Sequence, residues 1–137
     1  MFKHLLIPID LSDRNARLLR VALWLARQGD SRVTLLHVVH RIAHTSVPEL
    51  RDFYRKLQRK SLRRLEAAAR GFRAEGVRVR TVVVIGDPAL EIARATVARG
   101  VDLVVMGSHK VRPGSRGWGT TSYKAMLACQ CPILLVK

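Results

Sequence analysis

The stretch that decides the fold is 101-VDLVVMGSHKVRPGSRGWGTTSYKAMLACQCPILLVK-137. An apolar strand, Leu103 to Met106, runs into a loop of glycines, hydroxyls and cations. An apolar helix follows, and a second apolar strand closes the chain. A Gly- and Thr-rich turn between a strand and a helix start is how an α/β protein builds an anion site. Small residues let the backbone come close, and the first turn of the helix leaves N–H donors pointing outward. His109, Lys110, Arg112 and Arg116 add the charge that a phosphate group needs. The competing reading is a solvated basic loop.

Outward from this unit the alternation continues to the N-terminus. Gly86-Asp87-Pro88 starts a helix, and Ala89 to Arg99 carries Leu90, Ile92, Ala93 and Val97 before Gly100 ends it. Val77 to Ile85 alternates at first, with Val77, Val79 and Thr81 against Arg78 and Arg80. That pattern predicts a sheet edge guarded by two arginines. Pro48 and then Glu49 to Glu75 form a long amphipathic helix, with Leu50, Phe53, Leu57, Leu65, Ala68 and Phe72 as its apolar stripe. Its other faces hold Arg51, Arg55, Lys56, Arg59, Lys60, Arg63, Arg64, Arg70 and Arg73. Residues 40–47 lack periodicity and read as a loop. Arg32 to Val39 and Lys3 to Ile9 are near-continuous apolar runs, the pattern of strands buried on both faces. Between them, Asn15 to Gln28 is a helix with Ala16, Leu19, Leu23 and Ala26 at helical spacing. Leu11-Ser12-Asp13 supplies its cap, and Gly29-Asp30 stops it. Five buried strands alternating with four helices predict one α/β domain over 1–137, an open parallel sheet with helices on both faces.

Composition narrows the function. At 137 residues the chain has one domain's worth of material. No apolar run approaches the ~20 residues of a membrane span, and the N-terminal run is too short for a signal peptide. The expectation is a cytoplasmic protein. Cys129 and Cys131, one residue apart, are too close for a relaxed disulfide and too few for a tetrahedral metal site, which predicts free buried thiols. With 25 Lys and Arg against 10 Asp and Glu, the net charge of +15 predicts attraction to polyanions. Base stacking needs aromatic residues exposed among the cations. On the basic helix only Tyr54 is placed for that, so nucleic acid is disfavoured against an acidic protein or anionic lipid.

Ligands of open parallel sheets bind at the carboxyl ends of the strands, near the point where strand order reverses. Three such ends are informative: Pro8-Ile9-Asp10, His37-Val38-Val39 and Met106-Gly107. A carboxylate there suits a ribose hydroxyl, an apolar residue such as Val38 suits a base, and the glycine loop suits phosphates. Asp10 reads equally well as a helix cap, and His37 as a satisfied interior histidine. Catalytic signatures are absent: no Walker A sequence, no G-x-S-x-G and no H-E-x-x-H. Ser108-His109 are sequence neighbours, which seldom face each other as nucleophile and base.

These residues together resemble the universal stress protein family from end to end. Pro8-x-Asp10-x-Ser12 matches its first strand and turn, and Leu35-Leu36-His37-Val38 its second strand. Val101 to His109 matches its fourth strand, and Cys131 to Val136 its last. The resemblance implies a five-stranded parallel sheet and a homodimer formed through Ile133, Leu134, Leu135 and Val136. In the nucleotide-binding branch it implies ATP (AMP or ADP as alternatives) at the strand ends, with Mg carried on the phosphates. Carried over by residue, Asp10 and Val38 contact ribose and adenine, with Ile9 and Met106 at the same strand ends. Gly107, His109, Gly119, Thr120 and Thr121 surround the phosphates. That branch carries G-x-x-G, nine residues, then G-[S/T]. Here Lys110 replaces the second glycine, and the loop is one residue short. Lys110 then either obstructs the backbone or extends its ammonium to the phosphates. The resemblance implies a stress-response regulator. No general base is identifiable, so slow ATP hydrolysis is the most that is expected. The alternative is a nucleotide-independent module that docks through the basic helix on an acidic partner or anionic membrane.

Overall fold

His4–Pro8 (β1) lies at the middle of the molecule, and its sequence says why: Leu5, Leu6 and Ile7 have no exposed surface, so both faces of the strand are covered. In the computed structural model, which describes residues 1–44, 48–108 and 120–137, four more strands complete a parallel sheet. They are Arg32–His40 (β2), Val79–Gly86 (β3), Leu103–Gly107 (β4) and Ile133–Val136 (β5). The spatial order is β3-β2-β1-β4-β5. Strand order therefore reverses beside β1, with β2 on one side and β4 on the other. Registers such as Leu6 with Thr34 and Leu6 with Val104 align the three central strands.

The helices are Ala16–Gly29 (α1), Arg51–Ala74 (α2), Pro88–Ala98 (α3) and Thr121–Ala128 (α4). α1 and α2 cover one face of the sheet, where Leu18, Ala22, Leu65, Ala69 and Phe72 close over Leu5, Ile7 and Leu35. α3 and α4 cover the other, with Ile92 and Ala125 over Leu6, Leu36 and Val104. The parallel sheet with helices on both faces is as the sequence predicts.

Three details differ from the sequence reading. The buried stripe of α1 is Leu18, Ala22 and Ala26, not the stripe through Ala16, which is exposed. Leu19 and Leu23 sit at its flank, so the apolar arc is wide and the sheet, not the spacing, sets its centre. In α2, Tyr54 is buried at 2% exposure and Phe53 is 47% exposed, the reverse of the expectation. Tyr54 shares its face with Ser61, Leu65 and Phe72, and its hydroxyl accepts from the backbone N–H of Ile42 at 2.9 Å. Finally, the strands are not uniformly buried. β3 and β5 form the two edges, and Leu134 and Leu135 are 38% and 40% exposed.

Turn chemistry fits the sequence. Asp30 takes the left-handed conformation (φ 48°) that ends α1, and Gly76 (φ 77°) follows α2. Asp87 caps α3 by accepting from Leu90 N–H at 3.0 Å. Cys129 and Cys131 are free, as expected, though half-buried rather than buried. Burial raises both thiol pKa values, which disfavours the reactive thiolate. Among the described residues no helix is long and apolar enough to cross a membrane.

Candidate functional site

The reversal of strand order leaves β1 and β4 diverging at their carboxyl ends, and a cleft of about 830 Å³ opens there. That volume suits a small organic ligand. Ile9, Asp10, Val38, Met106, Gly107 and Thr121 all line it, so the structure brings together these six of the residues singled out from sequence. Ile9, Val38 and Met106 are buried and supply an apolar wall. Gly107 is exposed at the end of β4, and a Cβ built on it would meet none of the described residues within 4 Å.

Asp10 holds the turn into α1. Its Oδ1 accepts from the N–H and hydroxyl of Ser12 and from Nδ2 of Asn15, which also donates to the Asp10 carbonyl. Asp10 is thus not itself a helix cap: Ser12 caps the short 3-10 turn Asp13–Asn15, accepting from Arg14 N–H at 3.4 Å, and Asn15 precedes α1 without a side-chain cap bond. Asp10 braces both residues, and its carboxylate lies on the cleft. Nδ1 of His37 lies 2.9 Å from the carbonyl oxygen of Ile9. A carbonyl only accepts, so Nδ1 carries a proton, and in the neutral ring Nε2 bears the lone pair. His37 is therefore a satisfied histidine, as expected, and one that also lines the cleft.

Thr120 is the N-cap of α4 and accepts from Tyr123 N–H at 3.2 Å. Thr121 and Ser122, directly after it, line the cleft, whereas the Thr120 hydroxyl is spent on the cap. His109, Lys110 and Gly119 lie outside the described residues.

Sequence reasoning missed Arg14, Asn15 and Arg17 at the start of α1, together with His40, Ser108, Ser122 and Lys137. Arg14 and Arg17 read as solvent-facing positions of an amphipathic helix; only the neighbouring strand end turns them towards a ligand. Asp10 is the one acidic side chain among the described cleft-lining residues, against the cations Arg14, Arg17 and Lys137. The balance favours an anionic ligand with an apolar end. Among the described residues no cluster of three His, Cys, Asp or Glu could hold a metal ion. Asp10 alone would offer a carboxylate to magnesium, and three donors already engage it. A magnesium ion here fits only as a passenger on ligand phosphates.

The sequence pattern of the universal stress protein family matches residues 1–137. Universal stress protein YxiE of Bacillus subtilis is 30% identical over 148 residues, covering all of both chains. The solved structure of MJ0577, a universal stress protein of Methanocaldococcus jannaschii, superposes with a TM-score of 0.85. It is 26% identical, and the match covers 100% of this chain and 96% of that one. A family protein from Arabidopsis thaliana solved with AMP bound superposes at 0.71, 24% identical, over 98% of this chain and 91% of its own. Structures holding dAMP, from Archaeoglobus fulgidus, and cAMP share the fold at 0.69 and 0.72. By sequence along its whole length and by fold, the chain belongs to the universal stress protein family.

Proposed function

We propose that this protein binds an adenine nucleotide in the cleft at the strand ends and works as a nucleotide-dependent regulator of the stress response, not as a fast enzyme. The observation that carries the reading is Gly107, a bare backbone with no described residue within 4 Å of its Cβ position, where an apolar wall meets hydroxyls and cations. In this reading the base packs against Ile9, Val38 and Met106, and Asp10 receives the ribose hydroxyls. The phosphates run past Gly107 towards Thr121, with His109, Lys110 and Gly119 contributing from the loop and Thr120 holding the helix start. Relatives of the same fold that hold AMP, dAMP and cAMP support the ligand class. ATP with magnesium on its phosphates is the triphosphate form of the same proposal.

The test is direct. Protein purified from its host is denatured, and the released small molecules are identified by chromatography and mass spectrometry. Calorimetry with AMP, ADP and ATP follows on stripped protein. An adenine nucleotide released, or bound on titration, supports the reading; its absence from both experiments overturns it.

A homodimer through β5 belongs to the same proposal. Among the described residues β5 is an edge of the sheet, and its own Leu134 and Leu135 are exposed, as are Met126 and Leu127 on the preceding α4. An unpaired edge flanked by apolar side chains fits a second copy of the chain. Sedimentation velocity decides it, with a monomer at micromolar concentration as the refuting result. The outer face of α2 is a second surface, fitted to a polyanion such as an acidic protein or anionic lipid. Along the whole helix nine cations stand against Asp52 and Glu66.

A further inference from the structure

α1 and α2 form a charged layer that the cleft leaves almost unused. α1 carries Arg17, Arg20 and Arg27 and no acidic residue. On α2, Glu66 is already engaged by Arg73 at 2.8 Å and Thr81 at 2.6 Å, which leaves Asp52 in the first turn as the other acid against nine cations. The two helices are tied side by side. Arg27 pairs with Glu75 at 3.1 Å near their C-terminal ends, and the Arg64 guanidinium donates to the carbonyl of Leu11 just before α1. Both bury their apolar stripes in the same core, so both outer poles face away from the sheet.

On the outer pole of α2, Lys56, Arg59, Lys60, Arg63 and Arg70 recur at helical spacing, all exposed. The pole of α1 carries Trp24, 62% exposed. Trp24 is two residues from both Ala22 and Ala26, which puts it on the far side of the helix from the core. Arg20 and Arg27 stand one turn to either side of it. Phe53 and Leu62 are 47% and 44% exposed on the flanks of α2.

We propose that this outer face docks on an anionic bilayer, with Trp24 seated among the headgroups and the cations of α2 on their phosphates and carboxylates. An indole kept in water beside arginines is the composition of a membrane–water interface, where its ring is half desolvated and its N–H stays wet. The cations stand on the crests of two parallel helices, the longer of them about 36 Å, and not along a groove. That arrangement matches a plane of charge better than a single file of phosphodiesters. Leu62 adds apolar surface that an acyl boundary can bury and a nucleic-acid backbone cannot use.

The experiment uses the full chain and two vesicle compositions, phosphatidylcholine alone and phosphatidylcholine mixed with phosphatidylserine. Cosedimentation should show binding to the anionic vesicles only, falling steeply as salt rises. Each cation at such a surface is worth roughly fivefold in affinity, so Arg59→Glu with Arg63→Glu should lower binding by about 25-fold or more. Arg59→Lys with Arg63→Lys should retain it. Vesicle binding should shift the tryptophan emission to the blue, and Trp24→Ser should remove most of that shift while far-ultraviolet circular dichroism stays unchanged. Failure to bind anionic vesicles overturns the proposal, as does equal binding to neutral ones or insensitivity to charge reversal. Tighter, reversal-sensitive binding to duplex DNA or single-stranded RNA in the same buffer overturns it in favour of a nucleic-acid surface.

Discussion

The side-chain amide of Asn15 donates both to the carbonyl oxygen of Asp10, at 2.8 Å, and to its Oδ1, at 3.0 Å. With a third contact to the Ser12 carbonyl at 2.9 Å, the one amide fixes the turn and the carboxylate together at the mouth of the cleft. Removing either partner leaves the other short of a bond, at about 1 kcal/mol for each lost hydrogen bond. Asn15→Ala is therefore expected to lower the urea unfolding free energy by about 1–2 kcal/mol, and Asp10→Ala by a similar amount. Because the two share their interaction, the double variant should lose less than the sum of the singles. Additive losses would show that the pair is not coupled.

Gly107 separates fold from ligand. Its φ is not in the left-handed region, and an added Cβ would meet none of the described residues within 4 Å, so neither the backbone nor those neighbours require glycine there. Gly107→Val should then change stability by no more than about 0.5–1 kcal/mol. If phosphates approach the backbone at this point, the valine side chain occupies their space, and affinity for AMP or ATP by calorimetry should fall at least about tenfold, or 1.4 kcal/mol. Unchanged affinity would move the ligand away from β4.

The central strands are legible in sequence because burial on both faces writes a continuous apolar run, as at Leu5-Leu6-Ile7 and Leu35-Leu36. Arg78 and Arg80 likewise mark β3 as an edge, since charges survive in a strand only where water reaches it. Strand order is not legible: which runs lie side by side depends on pairing, and no local pattern records it. The same limit divides the site. Ile9, Asp10, Val38, Met106 and Gly107 stand out because strand ends of such sheets face ligands. Arg14, Asn15 and Arg17 do not, because their access to the cleft comes from the approach of α1 to the end of β1. Phe53 and Tyr54 show how little separates two readings. Adjacent aromatics lie about 100° apart on a helix, and packing against the sheet chooses which one is inside.

That choice is measurable. Tyr54 is 2% exposed and its hydroxyl accepts from Ile42 N–H at 2.9 Å, while Phe53 is 47% exposed beside it. Tyr54→Phe removes only the hydrogen bond and should cost about 1 kcal/mol. Tyr54→Ala adds a cavity and should cost about 3–5 kcal/mol. Phe53→Ala should stay near 1 kcal/mol or below, since much of its surface is already in water. Thermal denaturation of the three variants ranks them, and a Phe53→Ala loss equal to that of Tyr54→Ala would refute the phase of α2.

His4 makes the stability of the fold depend on pH. It is 7% exposed, with Nδ1 at 3.0 Å from the Arg99 carbonyl and Nε2 at 2.8 Å from the Thr34 hydroxyl. The carbonyl only accepts, so Nδ1 donates and Nε2 receives the hydroxyl proton, an arrangement that needs the neutral ring. Burial is the main cause that lowers the His4 pKa, and the nearby Arg32 guanidinium adds to it. The Arg99 carbonyl and Asp102 oppose the shift without reversing it. A depressed histidine contributes stability that is complete above its unfolded value, about 6.5. The contribution shrinks below that value, as the unfolded chain takes up a proton that the folded chain refuses, and it levels off under the folded pKa. Urea unfolding free energy should therefore fall between about pH 7.5 and pH 5.5. His4→Gln keeps a donor and an acceptor but does not titrate. It should be less stable at the higher pH and lose less on acidification, and an unchanged slope would assign the pH dependence to other groups.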